Sequence, residues 1–216
     1  MQASIYAQNP DELITRIAEQ GFCVIDAFLD NTTVNQLAAE ADGLKQAAAM
    51  KEAGIGREQL ALNREIRGDS IYWLDESTAS AAQQVYFKQM EHLRLSLNQH
   101  LYLGIFGLES HLATYPIGAF YKKHLDCFAS QDPKKPQRKI SCIVYLNHNW
   151  LDADGGQLRL YLNTTDKSNQ KNFIDIAPLA GRAVVFLSDT FYHEVLPANR
   201  ERKSLTSWFL TRPQGF

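Results

Sequence analysis

From about residue 111 onward, the sequence alternates short β-type runs with clusters of turn residues, and this pattern limits the folds that the chain can adopt. Eight runs are predicted to be strands, at residues 111–115, 120–125, 139–147, 157–162, 173–176, 182–187, 193–196 and 204–212. Eight short strands in two packed sheets describe a jelly roll, or double-stranded β-helix. The sequence therefore predicts that fold for its second half.

The first half of the chain is predicted to be mainly helical. Asn9 and Pro10, followed by two acidic residues, are typical of a helix start, and Gly21 is typical of a helix end. Two longer helices are expected at 30–52 and 80–103, where apolar residues recur at helical spacing. Helices gathered before the sheet would cover one of its outer faces, which gives an α+β fold with N-terminal helices packed on one sheet.

The overall composition fits one structural unit. The chain has 216 residues, of which 45% are hydrophobic and 21% are charged, so we expect one domain or one elaborated domain. Within that unit, we predict a helical support region with a lid loop at residues 1–108 and the β-helix core at residues 109–212.

Charge and cysteine usage exclude several classes of function. The net charge of −2 and the pI of about 6.3 give no electrostatic reason to expect nucleic-acid or membrane binding. No signal-peptide pattern begins the chain, and no apolar run approaches the roughly 18 residues that a membrane span needs. Three cysteines without a Cys-x-x-Cys pair favour free thiols in a reducing cytoplasm. We therefore expect a cytoplasmic protein.

The tripeptide His124-Leu125-Asp126 and the distant His193 are candidate metal ligands. Side chains alternate along a strand, so positions 124 and 126 project to the same side and can hold one ion. Two histidines and one carboxylate on one face of an octahedron select non-haem Fe(II) and leave three positions open. A lone His-x-Asp triplet is common by chance, so the assignment depends on the rest of the chain.

A basic segment after His193 supplies the second element of such a site. An Fe(II) oxygenase needs a reductant besides O2, and 2-oxoglutarate serves when a fixed cation holds its distal carboxylate. Strand alternation places Arg202 on one face with Ser204, Thr206 and Trp208, and Lys203 on the other with Leu205, Ser207 and Phe209. The pattern alone does not say which face lines the site, but the planar fork of arginine favours Arg202 because it binds both carboxylate oxygens.

Several stretches of the sequence carry a family resemblance: I-R-G-D-S-I-Y-W (66–73), Y-P and Y-K-K-H-L-D (115–126), S-C-I-V-Y-L-N-H-N-W (141–150), G-G-Q-L-R-L (155–160), H-E-V-L-P-A-N-R-E-R (193–202) and S-L-T-S-W-F (204–209). With them the sequence resembles the 2-oxoglutarate- and Fe(II)-dependent oxygenases of the prolyl 4-hydroxylase family, most of all the hypoxia-inducible-factor prolyl hydroxylases, of which this chain would be a bacterial relative. The resemblance covers about residues 64–212.

This resemblance implies roles for individual residues. His124, Asp126 and His193 match the iron ligands, and Arg202 matches the residue that binds the distal carboxylate of 2-oxoglutarate. Tyr145 matches a tyrosine that hydrogen-bonds the same carboxylate. The residues that match the lining of the cosubstrate and substrate pocket are Tyr115, Tyr121, Leu158, Thr206 and Trp208. The stretch between Tyr115 and His124 is one residue shorter than in the animal enzymes, and the equivalence of Tyr121 is the firmer of the two tyrosines.

Residues 53–77 are expected to form a lid over the bound substrate. Arg67 and Asp69 flank a Gly68 turn and match a substrate-closing loop of the family, and we expect an Arg67–Asp69 interaction to hold this loop.

The resemblance also implies the cosubstrates and the kind of partner. It implies Fe(II), 2-oxoglutarate and O2, with ascorbate as a candidate reductant, and 4-hydroxylation of a proline in a protein. Bacterial relatives suggest elongation factor Tu as the substrate. Two alternatives stay open from the residues: an oxygenase of a small metabolite or another amino-acid side chain, and a β-helix binding module without catalysis.

Overall fold

The computed structural model describes residues 6–7, 9–54, 65–127, 134–162 and 172–213. These residues contain three α-helices, α1 (Pro10–Gln20), α2 (Asn31–Gln46) and α3 (Ala81–Leu101). The same described part of the chain contains twelve strands: β1 (Tyr6–Ala7), β2 (Phe22–Ile25), β3 (Lys51–Glu52), β4 (Ser70–Trp73), β5 (Ile105–Tyr115), β6 (Tyr121–His124), β7 (Gln137–Tyr145), β8 (Leu158–Tyr161), β9 (Phe173–Ile176), β10 (Ala183–Leu187), β11 (His193–Val195) and β12 (Arg202–Thr211).

Helix α1 begins and ends where the sequence predicts. The Asn9 side chain accepts a hydrogen bond of 2.9 Å from the backbone N–H of Glu12, which satisfies one of the free amides of the first turn. Gly21 then adopts a left-handed conformation with φ of 80° and ends the helix. The chain continues directly into β2, which lies near one edge of its sheet, and α1 packs back onto that sheet.

The strands form two sheets, as predicted for a double-stranded β-helix. The larger sheet has eight strands in the order β1-β2-β10-β7-β12-β5-β4-β3, and the smaller has four in the order β6-β11-β8-β9. All eight predicted runs are strands, and they supply β5 to β12. The four at the centre of the large sheet face the four of the small sheet, and β1–β2 and β3–β4 extend the large sheet at its two edges.

Two hydrophobic cores lie on opposite faces of the large sheet. The outer core joins the three helices to that sheet and contains Leu205 and Phe209 of β12. The inner core fills the space between the two sheets and contains Tyr115, Tyr145 and Leu158. Alternation along β12 thus turns Leu205 and Phe209 toward the helices and leaves Arg202, Ser204, Thr206 and Trp208 to face the interior between the sheets.

Two predicted boundaries differ from the structure. Helix α2 ends at Gln46, six residues before the predicted end, because Ala48 takes a left-handed conformation and the chain then pairs with β4 as the short strand β3. Strand β5 begins at Ile105 rather than near residue 111, since its first half pairs with the long β12. In both places, pairing with a distant strand outweighs the local pattern.

The predicted lid at 53–77 is described only at its two ends, because residues 55–64 lie outside the described part of the chain. Its second end forms β4, which pairs with β5, so the predicted support region and the predicted core share one sheet. Among the described residues, no helix combines the length and the apolar character needed to cross a membrane.

Candidate active site

The three predicted metal ligands meet at one point between β6 and β11. His124 ends β6, and its Cα is the register partner of His193 at the start of β11, which brings the two imidazoles to the same height. Asp126 follows two residues after His124. Its Oδ1 lies 3.5 Å from Nε2 of His124, and its Oδ2 lies 3.6 Å from Nε2 of His193. The ligand atoms of the three residues all lie within 4.8 Å of one another.

Each histidine is oriented by a carbonyl two residues earlier in the chain. Nδ1 of His124 lies 2.8 Å from the carbonyl oxygen of Lys122, and Nδ1 of His193 lies 3.2 Å from that of Phe191. A carbonyl only accepts, so both Nδ1 atoms carry the proton and both Nε2 atoms keep a free lone pair. This is the tautomer that a metal ligand requires, with Nε2 directed toward Asp126.

The protonation states of the buried pair also fit a metal site. Burial lowers the pKa of His193 to about 4, against the opposing charge of Asp126, so the ring is neutral at neutral pH. Burial by itself would raise the pKa of Asp126, but His193, His124 and the hydroxyl of Ser141 outweigh it and hold the pKa well below its usual range. A neutral imidazole at His193 and an ionised carboxylate at Asp126 are the forms in which these two side chains can bind Fe(II).

Arg202 lies in the same cleft as the triad and has no acidic partner among the described residues. Its side chain is 1% exposed, and Nε donates a hydrogen bond of 2.9 Å to the carbonyl of Gly156. Nη1 lies 3.5 Å from the hydroxyl of Ser204, and Nη2 finds no hydrogen-bond partner in the part of the chain that the structure describes. A buried guanidinium without a counter-charge is rare because the free-energy cost of burying its charge is uncompensated. This position is therefore a candidate anion site.

Tyr145 adds a second donor beside Arg202. The guanidinium carbon lies 5.0 Å from the centroid of the Tyr145 ring, and the buried hydroxyl of Tyr145 has no hydrogen-bond partner. Burial raises the pKa of Tyr145 to about 12, so the hydroxyl stays protonated and able to donate. Gly156 permits the close packing here, because a Cβ at this residue would lie 2.9 Å from Cβ of Ala198 and 3.3 Å from Cδ of Arg202.

A cleft of about 1010 Å³ joins the metal triad to Arg202 and opens at the surface. Of the residues predicted to line the pocket, five line this cleft: Tyr115, Tyr121, Leu158, Thr206 and Trp208. Tyr145 and Asp69 are not among the lining residues; they are buried beside arginines that are, Tyr145 next to Arg202 and Asp69 paired with Arg67. The structure thus brings the metal ligands, the free arginine and most predicted lining residues into one space.

The Arg67–Asp69 interaction predicted from the sequence is present at the side of the cleft. Nε and Nη2 of Arg67 donate to the two carboxylate oxygens of Asp69 at 2.7 and 2.6 Å. Burial acts against the charge of Arg67, but its hydrogen bonds with Asp69 and the charge of that carboxylate outweigh burial and raise its pKa. The guanidinium carbon lies 4.3 Å from the centroid of the Tyr121 ring, which in turn stacks on the His124 ring at 3.6 Å. The pair therefore supports a metal ligand through Tyr121.

Sequence reasoning missed an aromatic wall at the mouth of the cleft. Trp73, His111 and Trp208 form a cluster in which ring centroids lie 5.0 to 6.2 Å apart, and the guanidinium carbon of Arg138 lies 3.5 Å from the Trp208 ring centroid. His111 carries no motif in the sequence, but it is buried, lines the cleft and is the register partner of Thr206. It begins the predicted strand 111–115 on the same face as the predicted pocket residue Tyr115, and this was the signal that could have identified it.

Comparisons with known proteins agree with this geometry. The 2OG-Fe(II) oxygenase superfamily matches residues 110–210. The hypoxia-inducible factor prolyl hydroxylase of Caenorhabditis elegans is 32% identical over 94% of the chain, and the human Egl nine homolog 1 is 28% identical over 88%. The chain spans 28% and 44% of the lengths of these two curated relatives.

Two solved structures share the fold over nearly the whole chain. A prolyl-4-hydroxylase from Pseudomonas putida is 40% identical with a TM-score of 0.81, and the alignment covers 94% of this chain and all (100%) of the other. A Trichoplax adhaerens prolyl hydroxylase, solved with a peptide fragment of the hypoxia-inducible factor oxygen degradation domain, is 26% identical with a TM-score of 0.78 over 93% of this chain and 88% of its own. The chain belongs to the 2OG-Fe(II) oxygenase superfamily, in its prolyl hydroxylase group, and its cofactors are Fe(II), 2-oxoglutarate and O2.

Proposed function

We propose that this protein hydroxylates a prolyl residue of a protein substrate, with iron(II) held by His124, Asp126 and His193. The observation that carries the proposal is the buried, unpaired Arg202 in the same cleft as the triad, since iron and a dicarboxylate cosubstrate need these two features together. When bound, iron(II) would activate O2, the oxidant, and 2-oxoglutarate would supply two electrons, so that one oxygen atom enters a C–H bond and the other enters the succinate formed from the cosubstrate.

Arg202 and Tyr145 are proposed to hold the distal carboxylate of 2-oxoglutarate. The free Nη2 of Arg202 and the free hydroxyl of Tyr145 offer two donors, and a carboxylate has two oxygens to accept them. The arriving anion would neutralise a guanidinium that has no other counter-charge among the described residues. Thr206, on the same face of β12, lines the cleft between this anion site and its mouth.

The apolar walls of the cleft are proposed to keep water from the reacting atoms. Ile143, Leu158 and Val195 are buried and line the cleft beside the triad. A dry site strengthens the interactions between the bound anion and its donors, and it limits side reactions of the oxidant. Leu158 is the register partner of Val195, so the two apolar residues come from adjacent strands of the small sheet.

The mouth of the cleft supports a polypeptide substrate. Trp73 is 50% exposed there, and a large half-exposed aromatic residue at the rim of a pocket is typical of a surface that binds another chain. The Arg67–Asp69 pair stands at the same opening, in the segment that we propose as a substrate-closing loop. The peptide bound by the Trichoplax relative is consistent with a protein substrate.

Elongation factor Tu is the substrate that we propose within this class, as suggested by the resemblance to bacterial relatives. Hydroxylation of a translation factor would place the enzyme in the cytoplasm, and cell fractionation tests that location. Ascorbate is proposed as a reductant that keeps the iron in its ferrous state between turnovers.

The test uses purified protein with iron(II), 2-oxoglutarate and purified elongation factor Tu. Mass spectrometry should detect a shift of about 16 Da, one oxygen atom, on a proline of the factor. Asp126→Ala serves as the inactive control. Turnover of 2-oxoglutarate without modification of the factor would rule out elongation factor Tu as the substrate. The substrate would then be sought by a proteome-wide search for hydroxyproline. Turnover stimulated only by a free amino acid or metabolite would contradict the protein substrate, and absence of any turnover would contradict the oxygenase.

A further inference from the structure

The two oxygens of the Asp126 carboxylate have different neighbours. Oδ1 faces Nε2 of His124 at 3.5 Å and accepts no hydrogen bond from a hydroxyl or backbone group of the described residues. Oδ2 lies 3.6 Å from Nε2 of His193 and also accepts a hydrogen bond of 2.6 Å from the hydroxyl of Ser141. The carboxylate is therefore held at one oxygen from outside the triad.

Ser141 is itself held by a second buried serine. It lies on β7, where its register partners are Trp208 of β12 and Phe186 of β10, and Ser188 follows directly after β10. The hydroxyl oxygens of Ser141 and Ser188 are 2.8 Å apart, and both side chains are fully buried. An ionised carboxylate only accepts, so Ser141 donates to Asp126 and its own oxygen accepts from Ser188. The chain of donors runs from Ser188 through Ser141 to Asp126.

We propose that Ser141 is a positioning residue that holds Oδ2 of Asp126 and leaves Oδ1 as the oxygen that binds the metal. A carboxylate held in this way binds as a single ligand, which keeps three positions of an octahedral ion open for the cosubstrates. Ser188 supports the role by fixing the direction of the Ser141 hydroxyl. Partners that orient metal ligands in this manner commonly change metal affinity about 10- to 100-fold when removed. The inference rests on the proposed role of Asp126 as an iron ligand.

Ser207 provides a matched control in the same sheet. It is fully buried on β12, and its hydroxyl also has two hydroxyl partners, Tyr86 and Ser110, the latter at 2.5 Å. Its neighbours along β12, Thr206 and Trp208, line the cleft, so Ser207 projects to the helical side of the sheet. Ser207→Ala therefore removes a buried hydroxyl with the same number of partners but without contact to the triad.

The experiment is an anaerobic titration of the metal-free protein with Co(II), followed by the visible absorption of the bound ion, whose band shape depends on coordination geometry. We expect Ser141→Ala to weaken Co(II) binding about 10- to 100-fold and to alter the absorption band. Ser188→Ala should weaken binding by a smaller factor, because it acts through Ser141. Ser141→Thr keeps the hydroxyl and should bind Co(II) as the unmodified protein does. Ser207→Ala should leave both affinity and band unchanged.

Unfolding of each metal-free variant is measured in parallel, so that loss of the fold can be told apart from a displaced Asp126 carboxylate in a folded protein. Binding by Ser141→Ala within about twofold of the unmodified protein, with an unchanged band, would overturn the positioning role, as would an equal loss in Ser207→Ala. If Ser141→Ala does not fold, the other two variants still test the proposal. It then requires that Ser188→Ala binds Co(II) more weakly than the unmodified protein and that Ser141→Thr binds it equally well. Asp126→Ala tests the metal assignment separately: if it keeps Co(II) affinity, the assignment itself fails.

Discussion

The deep end and the mouth of the cleft differ in whether their arginine side chains are paired with a carboxylate. At the deep end, Arg202 is 1% exposed and keeps a free Nη2, with the free hydroxyl of Tyr145 beside it. At the mouth, Arg67 is already paired with Asp69 through two hydrogen bonds, and the adjoining Trp73 is half exposed. An unpaired buried cation favours a small anion, whereas paired charges beside an exposed aromatic residue do not require one.

This difference separates the two proposed ligands by their chemistry. The deep end suits a compact dicarboxylate such as 2-oxoglutarate, because its donors are fixed and shielded from water. The mouth suits a larger partner, because its aromatic rings offer a broad contact surface and the Arg67–Asp69 pair is satisfied within the chain. The metal triad lies in the same cleft and is common to both ligands. Variants at the triad, the deep end and the mouth should therefore have distinct effects.

The largest effect is expected from Asp126→Ala, which removes the anionic member of the metal triad on which both proposed ligands depend. Iron binding and every turnover should be lost, because two neutral imidazoles alone hold Fe(II) weakly. The fold should remain, with a change in the free energy of unfolding of a few kcal/mol at most, roughly the range for single substitutions. Iron content and unfolding are measured together, with Asp175→Ala, a surface acid paired with Arg159, as the control. Unchanged iron stoichiometry in Asp126→Ala would refute the triad.

Arg202→Ala should affect the deep end alone. Removing one partner of a buried charge pair costs about 2–5 kcal/mol, so the KM for 2-oxoglutarate should rise about 30-fold or more while iron still binds. The controls are Lys203→Ala, whose ammonium group pairs with Asp42 on the helical side of the sheet, and Arg200→Ala, which pairs with Asp154. Both should leave the KM nearly unchanged. Loss of 2-oxoglutarate binding in Lys203→Ala, with retention in Arg202→Ala, would contradict the assigned face of β12.

Trp73→Ala should affect the mouth alone. We expect the KM for the protein substrate to rise about 5- to 10-fold, as when an interface aromatic residue worth about 1 kcal/mol or more is truncated. Turnover of 2-oxoglutarate without protein substrate should stay the same, because Trp73 is remote from the Arg202 end. Phe106→Ala is the control, since Phe106 is 43% exposed and does not line the cleft. Equal loss of both reactions in Trp73→Ala would show that the two ends do not act separately.

Much of the fold and the charged part of the site could be predicted from the sequence. Period-two alternation placed Arg202 and Thr206 on one face of β12, and the two-residue spacing of His124 and Asp126 predicted their meeting, although Asp126 lies just beyond the end of β6. The contact of His193 with them depends on the pairing of β11 with β6, which no local pattern encodes. The resemblance to a known family supplied that link.

The parts that escaped prediction are set by packing between distant strands. Ser141 and Ser188 stand 47 positions apart and carry no motif, so only the pairing of β7 with β10 reveals that their hydroxyls meet and that Ser141 is held where it donates to Asp126. His111 was overlooked for the same reason, because its neighbours Trp73 and Trp208 come from two other strands. Side chains that act through nonlocal contacts leave little trace in a single sequence.

The smallest expected effect concerns His111 and the pH dependence of stability. Burial lowers the pKa of His111 to about 3 and that of His193 to about 4, both below the usual value for histidine of about 6.5. Between pH 6.5 and about 4, the unfolded chain therefore binds protons that the folded protein does not. The free energy of unfolding should fall with falling pH in this window, with a slope of up to about 1.4 kcal/mol per pH unit from each histidine.

His111→Met removes one of these two groups and should reduce the slope by up to about half, because a thioether does not titrate and His193 is unchanged. The substitution should cost little at pH 8, where His111 is neutral, since its Nδ1 has no hydrogen-bond partner to lose. Urea unfolding of the metal-free protein, measured from pH 8 down to 4.5, gives both quantities. Parallel curves for the two proteins would contradict the lowered pKa of His111, because this histidine would then take up its proton over the same pH range in the folded and the unfolded states.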